Sequence, residues 1–406
     1  MFGTILRLVL AAAGIAFVAT QVTWQDTVTF PAGYTQPGID HAALEPGREY
    51  HVSTADDGQL LLMDAPYLTL DPADVTPEPD TPTYQPAVAT MLRQAQWTYL
   101  LGGLVLLGVI YPIQAGRWKL LLAAAGLVPT FLRCFKLNMI GTFFNICMPG
   151  STGGDVMKAY YAAKGSGKRG PAVMSVIVDR GCGLVGLVLL GSAVGITQLD
   201  DPRLKPLIVG LWIALGALTV GLSAYLLPSM RRLLRIEQII NRLPGKALWA
   251  KVDSAAALYG HAWGRLLLAM AVSVVVHTAI VFAMALAGYA LGMKHDLATL
   301  LVILPIVMLT QAIPLFPMGL GVADAAAFQL LGDPALATNN QIAGMMIVQR
   351  LYFIAYALVG AVILIRGNLH LHDAVDPNAP APPSSKQASS QQDAPEQASP
   401  GQASPE

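Results

Sequence analysis

Charge is scarce in this 406-residue chain. Asp, Glu, Lys and Arg make up 12% of it and hydrophobic residues 54%, where a soluble domain carries about 25% charge. That excludes an ordinary water-soluble fold. Lys+Arg and Asp+Glu are equal at 25 each, so no basic excess points to a nucleic-acid partner. Cysteine is also sparse. Cys134, Cys147 and Cys182 fall in or beside apolar segments without metal-ligand spacing and read as small buried hydrophobes. The chain has no nucleophile elbow, no Walker loop and no His/Cys/acid cluster. It therefore reads as a non-enzyme with no catalytic residues, no metal site and no cofactor.

What is present is a series of long apolar runs. Residues 1–20 hold one charge, Arg7, and a short apolar stretch with no clear small-x-small cleavage site. A signal peptide and an anchor both fit this composition. The missing cleavage site favours an uncleaved first membrane anchor. Residues 21–93 carry eleven acids against Arg48 and Arg93. A segment so poor in Lys and Arg is expected outside the cytoplasm. Within it, residues 49–53 and 59–63 flank Asp56-Asp57-Gly58 and predict a β-hairpin. Residues 71–86 are rich in Pro and Thr and predict an extended linker.

Residues 94–370 form the transmembrane domain. The expected full spans are residues 1–20, 97–115, 172–197, 207–227, 266–291 and 341–365. Arg117, Lys119, Arg133 and Lys136 follow the second of these, and seven basic residues lie between 230 and 265. Both stretches are placed on the cytoplasmic side. Residues 371–406 are Pro, Ala, Ser and Gln with little to bury, and predict a disordered cytoplasmic tail. The location implied is a bacterial-type cytoplasmic (inner) membrane, with the bilayer as a partner. Oligomeric state is left open.

Two apolar segments are broken. Residues 137–157 carry no Lys or Arg, have basic residues on both flanks, and contain Pro149, Gly150, Gly153 and Gly154. Equal flanks put both ends on one side, so this segment predicts a re-entrant hairpin turning at Pro149-Gly150. A full span with a kink is the alternative. The second break holds Pro317, Gly319 and Gly321, and its segment, residues 297–340, either loops back as a hairpin from the opposite side or crosses twice. Broken backbone inside a bilayer is tolerated only where it is buried in protein or lines a watery cavity. Paired interruptions in two halves mark the substrate site of inverted-repeat carriers. The fold class is thus an all-α polytopic membrane protein, with about six full spans and two re-entrant helical hairpins in inverted repeats. The glycines and prolines of the breaks are the candidate gates.

Charges inside apolar segments need partners or a pathway. Asp155 is expected to cap a helix, or to pair with Lys158 or Arg180. Asp179 and Arg180 are adjacent and so face different partners. Arg350 precedes Arg366 by sixteen residues, about 24 Å of helix, too far to reach that end. Asp324 is its natural partner. Candidate substrate-binding residues are Asn145, Asp155, Lys158, Arg180, Asp324 and Arg350.

Arg117-Trp118-Lys119-Leu120-Leu121, residues 145–158, Val178-Asp179-Arg180, residues 319–324 and Gln349-Arg350-Leu351-Tyr352 resemble the lysylphosphatidylglycerol synthase transmembrane region, a flippase-like family. The resemblance covers roughly residues 97–366 and implies transfer of an anionic or aminoacylated phospholipid between leaflets, with the headgroup as ligand. By position, Asp155, Lys158, Arg180, Asp324 and Arg350 match the family's polar residues. The chain departs from the family in its acidic insertion and in lacking an aminoacyl-transferase domain after Arg366. Two other readings differ in class: a membrane transferase with Asp155 or Asp324 as base, and a non-transporting scaffold. Single cysteines at Phe135 and Lys164 are expected to react with an impermeant thiol reagent from the cytoplasm alone. Labelling from opposite faces overturns the hairpin.

Overall fold

The structure, a computed structural model, describes residues 13, 16–32, 34, 44–55, 59–64, 68–71, 75, 81–148, 153–166, 168–226, 258–312 and 319–366. Most of the first anchor, Pro149, Gly150 and Pro317, most of the basic stretch after 230, and the 371–406 tail lie outside the described residues. Among the described residues the body is formed by α1 (Val88–Gln94), α2 (Trp97–Ala124), α3 (Phe131–Cys147), α4 (Gly153–Ser166), α5 (Arg169–Gly195), α6 (Lys205–Leu226), α7 (Trp263–Ala290), α8 (Leu297–Gln311), α9 (Val322–Leu331) and α10 (Asn339–Ile365).

Among the described residues, four helices are long and apolar enough to cross a membrane: α2, residues Arg169–Gln198, α7 and α10. Their outward faces are apolar. On α2, Leu101, Val105, Val109 and Ile113 are exposed and recur every four residues, which places them on one helical face. Exposed apolar stripes of this length need lipid, not water, as solvent. The inward faces pack closely through small residues. A Cβ on Gly186 would lie 2.7 Å from Ser273 Cβ, and one on Gly360 would lie 2.1 Å from the Met139 carbonyl oxygen. These contacts bring α5 onto α7 and α10 onto α3, as small residues do in membrane bundles.

One helix runs further than its sequence predicts. α2 continues to Ala124, past Arg117, where the span was expected to leave the membrane. Arg117 is buried rather than solvated, because Asp179 on α5 neutralises it.

Helices α3 and α4 form an antiparallel hairpin. Arg133 Nη2 donates to the Tyr161 carbonyl at 3.2 Å, and Gly154 N donates to Asn145 Oδ1 at 2.9 Å. The two pairings run in opposite senses along the chain. The close approach requires glycine, since a Cβ on Gly154 would sit 1.9 Å from the Gly141 carbonyl oxygen. The arms hold 17 and 14 residues, about 25 Å and 21 Å long. Both fall short of the ~30 Å hydrocarbon core. Helices α8 and α9 also pack together and, with 15 and 10 residues, fall short of it as well.

The acidic insertion is more ordered than its composition suggests. β1 (Thr27–Thr29), β2 (Glu49–Thr54), β3 (Leu60–Leu62), β4 (Thr69–Leu70) and β5 (Thr83–Gln85) make one sheet in the order β4-β3-β2-β1-β5. The expected hairpin is present as β2 and β3, with Val52 opposite Leu62. Part of the expected linker is instead the edge strand β5, which pairs antiparallel with β1. Proline on either side ends β5, and an edge is where a strand tolerates proline neighbours. Val28, Phe30, Tyr50, Val52, Leu60, Leu62 and Leu70 bury a small core of their own.

One side chain joins this sheet to the helices. Asn340, in the first turn of α10, accepts from Thr23 N at 3.0 Å. Its Nδ2 donates to Thr23 Oγ1 and to the Pro86 carbonyl at 2.8 Å. Both stems of the insertion therefore close on one amide. Beyond them, Val88 and Met91 of α1 bury into the main helical core. Asn340→Ala is expected to lower stability by about 1–3 kcal/mol, the cost of leaving buried partners unpaired. Thermal unfolding in detergent reads this directly, and an unchanged midpoint would show that the stems need no such joint.

Candidate functional site

A cavity of about 300 Å³ opens between α2, α3, α5, α7, α8 and α10. Its polar wall contains Gln114, Asn145, Arg180, Gln311, Gln349 and Arg350. Leu107, Ile110, Ile146, Ile280 and Phe353 supply the apolar wall. The C-terminal end of α3 reaches it through Thr142, Asn145 and Ile146, and the last residue of α8, Gln311, reaches it from the other side. The ends of both broken segments thus converge on one space.

Each arginine is held from behind by an acid. Arg350 Nη2 donates to both carboxylate oxygens of Asp324 at 2.7 Å. Asp324 is 2% exposed and also accepts from Gly321 N at 2.8 Å, which caps α9. Gly321 has φ 85°, a conformation that glycine adopts without steric cost. Arg180 Nε donates to Asp155 Oδ2, with Asp155 in the first turn of α4. The two halves share this construction: an acid just after the break, and an arginine 25 or 26 residues later on the next long helix.

Of the residues singled out from sequence, Asn145, Arg180 and Arg350 line the cavity. Asp155 and Asp324 do not line it and instead position the two arginines. Lys158 lies apart from the other candidates and does not line this cavity. Its Nζ lies 4.4 Å from the Trp118 ring centroid and 3.5 Å from Asp179 Oδ2. There it joins a buried network in which Arg117 Nε donates to Asp179 Oδ1 at 3.0 Å and Arg117 Nη1 to Ser273 Oγ at 2.7 Å. Burial of a lysine without a carboxylate is costly, and Asp179 is the acid within reach.

Among the glycines read as gates, Gly154 is fixed by close packing and Gly319 and Gly321 by positive φ. Sequence reading passed over Gln114, Gln311 and Gln349. Gln311 Nε2 donates to Gln349 Oε1 at 3.4 Å. Gln349 Nε2 and Arg350 Nε are buried with no hydrogen-bond partner in the structure. A buried polar atom without a partner is rare and marks a place where a ligand or water belongs. Position on an apolar helix next to a charged residue was the available signal for Gln349.

Removing one member of a buried ion pair typically costs about 3–5 kcal/mol. Asp324→Asn is expected to destabilise the protein by that order, and adding Arg350→Gln should restore part of the loss. Thermal denaturation of the single and double variants measures this. Equal stability of Asp324→Asn and the wild type would remove the pair from the account.

The family model described as the lysylphosphatidylglycerol synthase TM region matches residues 85–360. The matched region starts at the last residue of β5, so almost all of the sheet lies outside it. No curated protein and no solved structure matches the chain. The family match spans more than half of the chain and coincides with the apolar helical body, so the chain belongs to the lysylphosphatidylglycerol synthase TM-region family, multi-pass membrane proteins related to lipid modification or translocation.

Proposed function

We propose that this protein is a carrier rather than an enzyme, and that it moves an anionic phospholipid between leaflets. The observation that carries this reading is the cavity itself, where two guanidinium groups meet at the ends of two broken segments. Guanidinium groups suit phosphate because they offer planar, multiple donors. The apolar part of the wall is compatible with the start of an acyl chain, while the rest of the chain stays in lipid.

In this mechanism α3–α4 and α8–α9 are re-entrant hairpins that enter from opposite faces and form inverted repeats. Two features support that arrangement: arms too short for a full crossing, and the shared acid-to-arginine spacing of 25 and 26 residues. The headgroup binds at Arg180 and Arg350, and alternate opening of the two hairpins exposes it to either side. The sheet stands outside the cytoplasm, on the face where its acidic surface fits the scarcity of Lys and Arg in residues 21–93.

The test is leaflet exchange by purified protein in vesicles carrying a trace of acyl-chain-labelled phosphatidylglycerol. Without exchange, a membrane-impermeant quencher reaches only the outer leaflet. With wild-type protein it should reach nearly all of the label. Arg180→Gln and Arg350→Lys should each slow exchange by about tenfold or more, since hydrogen bonds to charged groups contribute about 1.5–3 kcal/mol. Exchange no faster than in protein-free vesicles would end the carrier reading.

A further inference from the structure

We infer that the cavity selects an anionic glycerophospholipid whose headgroup beyond the phosphate is uncharged and hydroxylated, and that it disfavours headgroups bearing an amine. This rests on the lipid-carrier reading above and narrows its substrate. The first ground is the distribution of acids. No carboxylate lines the cavity among the described residues. Residues 131–154 and 297–323, which include both breaks, contain no Asp or Glu at all. The two acids paired with the cavity's arginines, Asp155 and Asp324, are occupied by them. An ammonium group entering this space meets two guanidinium groups and finds no carboxylate on the wall.

The second ground is the demand of the wall. Gln349 is 2% exposed, its Oε1 is occupied by Gln311, and its Nε2 is buried without a partner. Arg350 Nε, one residue on, is likewise buried without a partner. Both atoms are donors and require an acceptor. Phosphate and hydroxyl oxygens accept, whereas an ammonium group only donates. The remaining polar wall, Gln114, Asn145, Thr142 and Tyr111, consists of amides and hydroxyls that both donate and accept, which matches a polyol. A headgroup ending in an amine still offers Arg350 Nε its phosphate, but its ammonium group gives Gln349 Nε2 no acceptor. Selection would therefore act through the uncharged residues, with the arginines holding the phosphate common to all candidates.

The experiment compares exchange rates of acyl-labelled phosphatidylglycerol, phosphatidylethanolamine and lysyl-phosphatidylglycerol in otherwise identical vesicles. The expected result is exchange of phosphatidylglycerol at least tenfold faster than of either amine-bearing lipid. Equal rates, or faster movement of an amine-bearing lipid, would overturn the substrate class while leaving the carrier reading intact. Exchange of none of the three would overturn both. Gln349→Glu and Gln311→Glu each add a carboxylate to the wall. In whichever of these variants keeps the wild-type melting temperature, the preference should narrow by about tenfold. An unchanged preference would overturn the inference. Binding of phosphatidylglycerol in detergent, with water-soluble glycerophosphoglycerol as competitor, separates a lipid site from a free phosphodiester site. Displacement at equal concentration would overturn the lipid assignment.

Discussion

Asp179 is the carboxylate on which the helical packing depends. It is buried, and it receives Arg117 from α2 and Lys158 from α4 while sitting on α5. Arg117 in turn reaches Ser273 on α7, and Lys158 rests on the Trp118 ring. Four helices thus meet around one negative charge. The cost of desolvating three charged groups is offset only if each finds its partners in good geometry. That requirement fixes the relative rotation of the helices more tightly than apolar packing alone, which tolerates sliding. Arg180 follows Asp179 directly, and one residue step turns a helix by about 100°. The same stretch of α5 therefore presents a structural charge to the packed interior and a different charge to the cavity.

The second half of the chain reaches a similar result with fewer groups. Asp324 caps α9 and grips Arg350 with both oxygens. A single carboxylate sets both the start of a short helix and the orientation of a guanidinium on its neighbour. While Nη2 is committed to the acid, Nε is left buried without a partner, closer to the helix and beside Gln349. The donors left over are thus determined by where the acid stands.

Much of this was legible in the sequence, and the failures have a common physical cause. The Asp324–Arg350 pair could be read because an unpaired charge in apolar surroundings is so costly that its partner must be near. Asp155 with Arg180 was one of the open alternatives for the same reason. The burial of Arg117 was not legible, because counting positive charges does not tell a solvated cation from one already neutralised inside. Lys158 was grouped with the arginines for its sign, although burial against Trp118 separates it from them. Gln114 and Gln311 carried no such signal, and Gln349 only its place beside Arg350, since an amide in a helix raises no alarm until its unpaired atom is seen. In the insertion, β2 and β3 announced themselves through a turn sequence. β1 and β5 are three residues each, too short for alternation to register before their pairing is known.

The joint at Asn340 bears on the order of assembly. Thr23 and Asn340 are 317 residues apart, and α10 is the last described helix in the chain. During synthesis the sheet's strands, all within residues 27–85, are complete long before Asn340 exists. The sheet can therefore pair before Asn340 is available, with Asp26 already accepting from Ala87 N across the two stems, and contacts this distant in sequence close late. The final stitch in the molecule is made by the residue that also begins the helix carrying Gln349 and Arg350. A chain stalled before α10 would hold a complete set of strands beside an unfinished cavity.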